Sequence, residues 1–335
     1  IFTTKHHDGF CTFDSKLTDF TIAHGPFGGN PRKNVAKEVF DAFRKEGFMM
    51  GCYFSKPDWH SQWYWNDGFA TKGRRENYSR EKHPDWWKNY QDYTSGQLNE
   101  LLGGDYGQFD ILWLDGGWVT GEEIGLDPIL DKARSGLHPG LISVDRTIRG
   151  KNENYLTPER GIPAKQLDMP WESCIPLTGA WGWIHNPRPK SPNKVVGELA
   201  EITAKGGSLV LGVGPSPLGL IDPVIAEVIE NVGSWLDTNG EAIYATRNAK
   251  VYNDGKTWFT ANKDGKTLYA IYAKADDEIL PSTITWKGNI PVGKVTLLHT
   301  GKAVKYNVSK DGAVTVTLPK GLPDMPVAFK FTAKK

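Results

Sequence analysis

Long apolar runs are missing from this sequence of 335 residues: no stretch approaches the ~18 uninterrupted apolar residues of a transmembrane helix. Net charge is equally scarce. With 40 Lys+Arg against 39 Asp+Glu there is no global field to draw the chain to nucleic acid or to an anionic membrane. The three cysteines, Cys11, Cys52 and Cys174, have neither zinc spacing nor the density of a disulfide scaffold, and the odd count leaves at least one thiol outside any disulfide. No G-x-G-x-x-G turn opens a helix, which disfavours a dinucleotide-binding sheet. No H-E-x-x-H helix occurs either, and the neighbouring His6 and His7, if extended, point to opposite faces, so no metal is expected.

Tryptophan is the residue in surplus. Ten of the 13 lie between Trp59 and Trp183, where an even scatter would place about five. A core alone would use more Leu and Ile. Flat apolar faces with one N–H donor also suit a pocket that stacks on a sugar ring.

The chain opens on Ile1-Phe2-Thr3-Thr4, which reads as the second half of a strand, as if the sequence began inside a domain. Helix-like and strand-like segments then alternate. Asn34 caps a helix with Val35, Val39, Phe40 and Phe43 at helical spacing, and Phe48–Phe54 is a short apolar strand. After a long loop, residues 57–83, Pro84 starts a helix to about Leu102, and strand Phe109–Leu114 ends at Asp115-Gly116-Gly117. Helix 127–135, strand 141–144 ending at Asp145-Arg146, helix 194–205, strand 208–213 and helix 222–238 continue the series. Repeated βα units predict parallel strands covered by helices, and polar and aromatic residues recurring at strand carboxyl ends favour a (β/α)8-type, TIM-like barrel. Past about Asn248 the period becomes two and Asp264-Gly265 and Asp311-Gly312 mark hairpins, predicting an antiparallel β-sandwich. The expected division is therefore a barrel over 1–247 and a sandwich over 248–335.

The strand ends deliver His6, His7, Tyr53, Trp59, Asp115, Arg146, Glu159, Glu172 and Trp181 to one face. Two carboxylates near aromatic walls, with His and Arg to hold hydroxyls, form the inventory of a glycosidase. Asp115 suits the nucleophile because it ends a rigid apolar strand and is followed by two glycines that would let a substrate approach. Glu159, in a loop, suits an acid that switches to base in a second step. Plainer readings stand beside these. Asp115 also reads as a strand-end cap, Arg146 as a neutraliser of Asp145 or of a neighbouring carboxylate, Glu172 as a buried structural acid, and Glu172, Glu153 and Glu122-Glu123 compete with Glu159.

Several segments in order resemble the α-L-fucosidases of glycoside hydrolase family 29. They are Thr4-Lys5-His6-His7-Asp8-Gly9-Phe10-Cys11, Leu112-Trp113-Leu114-Asp115-Gly116, Pro170-Trp171-Glu172-Ser173-Cys174, the run from Gly206 to Pro215, and Trp235-Leu236 followed by Asn239-Gly240-Glu241-Ala242-Ile243-Tyr244. The resemblance runs from Thr3 to about Arg247 and is faint beyond. It implies a retaining exo-glycosidase on a (β/α)-barrel with no metal or organic cofactor, acting on a fucosylated glycan through a covalent glycosyl-Asp intermediate. Asp115 matches the family's nucleophile, and Glu159 resembles the acid/base of one branch. His6, His7, Tyr53, Trp113, Arg146 and Trp181 match positions that bind the sugar. The family's barrel normally begins upstream, so the resemblance also implies that N-terminal strands are missing before Ile1. Extracellular, periplasmic or lysosomal use follows from the family, with no nucleic-acid or membrane partner and with assembly into a homo-oligomer left open. Two other functions stay in view: an α-L-galactosidase of the same mechanism, since one added hydroxyl is weakly rejected by an apolar wall, and a non-catalytic fucose-binding protein.

Overall fold

The computed structural model describes residues 1–333 and divides into two compact units, with the boundary after Thr157.

The first unit alternates strand β1 (Phe2–Lys5), helix α1 (Val35–Lys45), β2 (Gly51–Ser55), α2 (Pro84–Leu102), β3 (Ile111–Asp115), α3 (Leu126–Ser135) and β4 (Ile142–Val144). The strands form one parallel sheet in the order β1-β2-β3-β4. Asn34 caps α1 by accepting the Lys37 N–H, and α2 opens with Pro84 in its first turn. Phe40, Phe54, Tyr90, Leu98, Leu101, Leu112, Leu114 and Leu130 lie in one buried core, each worth about 1.5–3 kcal/mol of burial. Two expectations shift here. The strand expected from Phe48 starts at Gly51, because the Phe48 N–H bonds back to the Phe43 carbonyl at the end of α1. Phe43, expected on the buried face of α1, stays exposed and packs edge-on against exposed Phe48 at 5.3 Å.

The loop over residues 57–83 has no regular structure, yet its backbone is tied by aromatic side chains. The Trp59 and Trp65 indoles donate to the Arg74 and Arg75 carbonyls, the Tyr64 hydroxyl to Arg74 and the Tyr78 hydroxyl to Trp63. Two of the ten clustered tryptophans thus supply N–H donors to carbonyls of a loop without ladder hydrogen bonds.

In the second unit β5 (Trp171–Pro176), α4 (Pro192–Ala204), β6 (Gly207–Gly212) and α5 (Pro223–Asn239) make a two-stranded parallel sheet with its helices. Ser191 and Asp222 cap the two helices, each followed by proline. Then come β7 (Arg247–Asp254), β8 (Thr257–Ala261), β9 (Thr267–Tyr272), β10 (Thr283–Trp286), β11 (Pro291–Leu297), β12 (Lys302–Val304), β13 (Tyr306–Val308), β14 (Val314–Thr317) and β15 (Val327–Ala333). They form antiparallel sheets of six strands (β12-β11-β15-β9-β8-β7) and three (β10-β14-β13), which share a core around Trp286, Phe259, Val314, Val316 and Phe329. A second cluster packs α4 and α5 on the other face of the six-stranded sheet, through Val196, Ala200, Ile225 and Trp235 against Tyr269, Ile271 and Ala328. That cluster explains why the last βα repeat and the antiparallel sheets make one compact unit. Among the described residues the parallel strands form two open sheets, four-stranded and two-stranded, and not one hydrogen-bonded ring. No helix there is long and apolar enough to cross a membrane.

Candidate active site

Asp115 is the last residue of β3, in register with Ser55 of β2, and Trp113 is in register with Tyr53. Residues two apart on a strand share a face, so the four side chains converge. One Asp115 oxygen, Oδ1, accepts from Arg146 Nε at 2.9 Å and from the Gly116 N–H at 2.7 Å. The other, Oδ2, accepts the Tyr53 hydroxyl and lies 3.6 Å from His7 Nε2. Burial alone would raise the carboxyl pKa. The Tyr53 hydrogen bond, the Arg146 charge, the Gly116 N–H and His7 outweigh it and hold Asp115 below the usual carboxylate value. The carboxylate is therefore ionised and oriented at neutral pH. Burial and the adjacent Asp115 push the Tyr53 phenol well above its ordinary value, so Tyr53 stays a donor.

Around this carboxylate the aromatic rings are layered. His6 stacks on Tyr53 at 5.9 Å and 4°, Tyr53 on Trp113 at 5.4 Å and 16°, and the Arg146 guanidinium lies 5.0 Å from the Trp113 ring centre. Trp59 stacks on Trp65 at 4.9 Å and lies 5.1 Å from His7, whose ring also meets Trp118 edge-on at 4.9 Å. Burial pushes the His7 imidazole down to about 4, with His6, Arg74 and Lys5 acting the same way and Asp115 opposing them. The 3.6 Å approach to Asp115 is that of a neutral ring at pH 7.

The expectation that His6 and His7 face opposite ways is corrected. Strand β1 stops at Lys5 and the chain turns, so the two rings sit 4.1 Å apart, and with Asp115 they bring one ligand atom each within 4.8 Å of the others. That set is a poor metal site, since both Asp115 oxygens already accept hydrogen bonds and the Arg146 guanidinium would face the added cation. Gly116 also has a conformational reason to be glycine. Its φ is +81° and an added Cβ would lie 2.2 Å from Pro57 Cδ, so glycine is needed for the turn that aims the Gly116 N–H at Asp115. Gly116→Ala is expected to cost about 2–4 kcal/mol by left-handed strain and overpacking, measured as a lower urea midpoint at unchanged m. A loss under about 0.5 kcal/mol would contradict this turn.

Arg146 pairs with a neighbouring carboxylate, that of Asp115. It adopts φ +60° and bridges Asp115 Oδ1 and the Thr157 carbonyl, 2.9 Å from each. Buried Lys56 pairs with Asp145 instead. Glu153 accepts the N–H groups of Asp145, Thr147 and Arg149, and Glu123 pairs with Arg75 and Arg80, so both organise loops. Residues absent from the sequence reading are Ser55, the Lys56–Asp145 pair and the buried Asp58 that holds Lys5 at 3.1 Å; their partners lie about 50 to 90 positions away, beyond any local pattern.

In the second unit Glu159 is clamped to β5 in strand-like fashion: the Cys174 N–H bonds to the Pro158 carbonyl and the Arg160 N–H to the Cys174 carbonyl. The Trp181 indole donates to Glu159 Oε1 at 3.1 Å, and Arg160 Nε lies 3.8 Å from the same oxygen. Trp181 thus orients a carboxylate while keeping a partly exposed face. Glu172 sits half-buried on β5.

An ionised strand-end carboxylate, walled by stacked aromatics and held by Arg and Tyr donors, defines the class of carboxylate-dependent glycosidases. The family model described as Alpha-L-fucosidase matches residues 1–241, and the chain belongs to that family. The plasma alpha-L-fucosidase of Rattus norvegicus is 26% identical over 352 residues, covering 99% of this chain and 72% of that protein. The tissue alpha-L-fucosidase of Homo sapiens is 25% identical over 365 residues, covering 100% and 71%. Among solved structures, the alpha-L-fucosidase isoenzyme 1 from Paenibacillus thiaminolyticus superimposes with a TM-score of 0.78 at 30% identity, covering 99% of this chain and 82% of that one.

Proposed function

We propose that this chain is a retaining exo-α-L-fucosidase that releases terminal L-fucose from oligosaccharides or glycoconjugates, with Asp115 as nucleophile and Glu159 as acid/base. The observation that carries the assignment is the Asp115 carboxylate, ionised by its Tyr53, Arg146 and Gly116 donors at the end of a buried strand. In the first step an Asp115 oxygen bonds to C1 of fucose as the C1–O bond to the aglycone breaks, and Glu159 gives its proton to the departing oxygen. In the second, water attacks C1 and yields a proton to Glu159 as the ester to Asp115 breaks. Two inversions restore the starting configuration.

His6, His7, Tyr53, Trp59, Trp113, Arg146, Glu172 and Trp181 are the proposed sugar-binding set. His6, Tyr53 and Trp113 supply stacked faces, and Arg146 and His7 supply donors beside the reacting carboxylate. We assign the catalytic region to 1–247 as a barrel of the family type and 248–335, of which the last two residues lie outside the described ones, to an ancillary sandwich, with use outside the cytoplasm or in lysosomes. Fucose trapping tests the chemistry. A 2-fluoro-fucosyl fluoride forms its ester faster than water removes it, so intact mass should rise by one fluorofucosyl group and peptide mapping should place it on Asp115. A label on another carboxylate would reassign the nucleophile.

A further inference from the structure

A closed ring of polar contacts lies beside the proposed nucleophile, and one member has no role yet. Ser55, fully buried at the end of β2, has its hydroxyl oxygen 2.7 Å from His7 Nδ1 and 3.4 Å from the Tyr53 hydroxyl. Tyr53 commits its only proton to Asp115, and His7 Nε2 faces the same carboxylate oxygen at 3.6 Å. We propose that Ser55 is a positioning residue: it donates to His7 Nδ1 and thereby holds His7 as the tautomer that carries its proton on Nε2. This rests on the reading of Asp115 as the reacting carboxylate.

The protons can be followed around the ring. Ser55 has one O–H and a choice of two acceptors. The Nδ1 contact is 0.7 Å shorter than the Tyr53 contact, 2.7 against 3.4 Å, so the proton belongs on the line to His7. Nδ1 is then an acceptor and the ring proton must sit on Nε2, pointing toward the carboxylate and any hydroxyl bound beside it. The opposite tautomer would aim the Nε2 lone pair at an ionised Asp115 and would send the Ser55 proton to Tyr53 across the longer contact. Both changes are unfavourable, so the arrangement selects a single tautomer. The charged and titratable groups acting on His7 are His6, Asp115, Arg74 and Lys5. The indoles of Trp59 and Trp118 pack around its ring, and the Trp59 N–H fixes the His7 carbonyl at 2.7 Å. The backbone is therefore held independently of Ser55, which leaves the proton position as the task of its hydroxyl.

The test reads the tautomer directly. Long-range 1H–15N imidazole spectra of protein labelled at histidine, with the His7 signals assigned through His7→Gln, should show the Nε2–H pattern in the native chain. Ser55→Ala, and Ser55→Cys, which keeps the volume but donates weakly, should both show a mixed or Nδ1–H pattern. Both should lower kcat/KM on an aryl α-L-fucoside by about 10- to 100-fold and move its acidic limb to higher pH, because the neutral ring loses a hydrogen bond that favours it. A residue acting only by filling space would be rescued by cysteine, and that result, or an Nδ1–H pattern in the native chain, overturns the proposal. The spectra need no turnover, so a failed fucosyl trapping at Asp115 would remove the reading of the nucleophile while leaving the tautomer result to stand or fall alone.

Discussion

Asp115→Ala is expected to lower kcat/KM on a nitrophenyl α-L-fucoside by on the order of 10⁴-fold or more, the scale of losing a covalent nucleophile, which is at least about 5.5 kcal/mol of transition-state stabilisation. The truncation leaves Arg146 Nε, the Gly116 N–H and the Tyr53 hydroxyl aimed at a space that held a carboxylate. A small anion fits those donors. Added azide should therefore restore part of the turnover by attacking C1 from the vacated side as nitrophenolate departs. One displacement replaces two, so the product should be the β-fucosyl azide. Unaltered turnover would remove Asp115 from the mechanism. A loss of activity with a collapsed melting temperature would say only that the buried Arg146 charge needs the Asp115 carboxylate for stability, so the azide product, which requires a folded site, decides the matter.

The features of this site differ in how far the sequence exposes them, and the difference is one of range. Asp115 is legible because it ends an apolar run and precedes a Gly-Gly turn, both local patterns. Tyr53 and Trp113 each lie two residues before their strand's end, and it is the β2–β3 register that brings them together. Register depends on pairing over 60 residues of separation, which no local pattern shows. The ordinary reading of adjacent histidines fails at His6 and His7 for a related reason: alternation applies only while the strand continues, and β1 stops one residue earlier. Arg146 offers a third case. Its left-handed φ and its bond to Asp115 occur together, and strain of that kind persists where surrounding contacts determine it. A sequence shows only that Asp145-Arg146 could pair with each other, whereas Lys56 takes the aspartate and frees the arginine for Asp115.

The fold divides the same way. The βα repeat and the change to period two near Asn248 are visible in hydrophobic spacing, and the helices begin close to their Asn34, Pro84 and Asp222 signals. Strands β12 and β13, three residues each, are too short and too exposed to leave a period. The attachment of α4 and α5 to the six-stranded sheet is also hidden, because Tyr269, Ile271 and Ala328 look like ordinary inward residues of a sandwich until the sheet proves to be covered on both faces.

Glu159→Ala should separate substrates by their leaving groups. With a sugar or alkyl aglycone, which must be protonated as it departs, the rate should fall by about 10²- to 10⁴-fold. With a dinitrophenyl fucoside, whose anion leaves unaided, the first step should be nearly unchanged and the second, deprived of its base, should become limiting. The fucosyl-Asp115 ester then accumulates, visible as a burst of dinitrophenolate and a lower KM. Azide needs no base and should speed the second step, inverting the ester to give the α-fucosyl azide. The two variants thus predict opposite anomers from one reagent: β when Asp115 is missing and α when Glu159 is missing. Trp181→Phe supplies an intermediate case. It removes the 3.1 Å indole bond to Glu159 while keeping an aromatic face, so it should slow the alkyl and sugar substrates more than the dinitrophenyl one. Equal losses on both substrate types in Glu159→Ala, or a β-azide from it, would assign the proton to another carboxylate and return Glu159 and Trp181 to a role in binding alone.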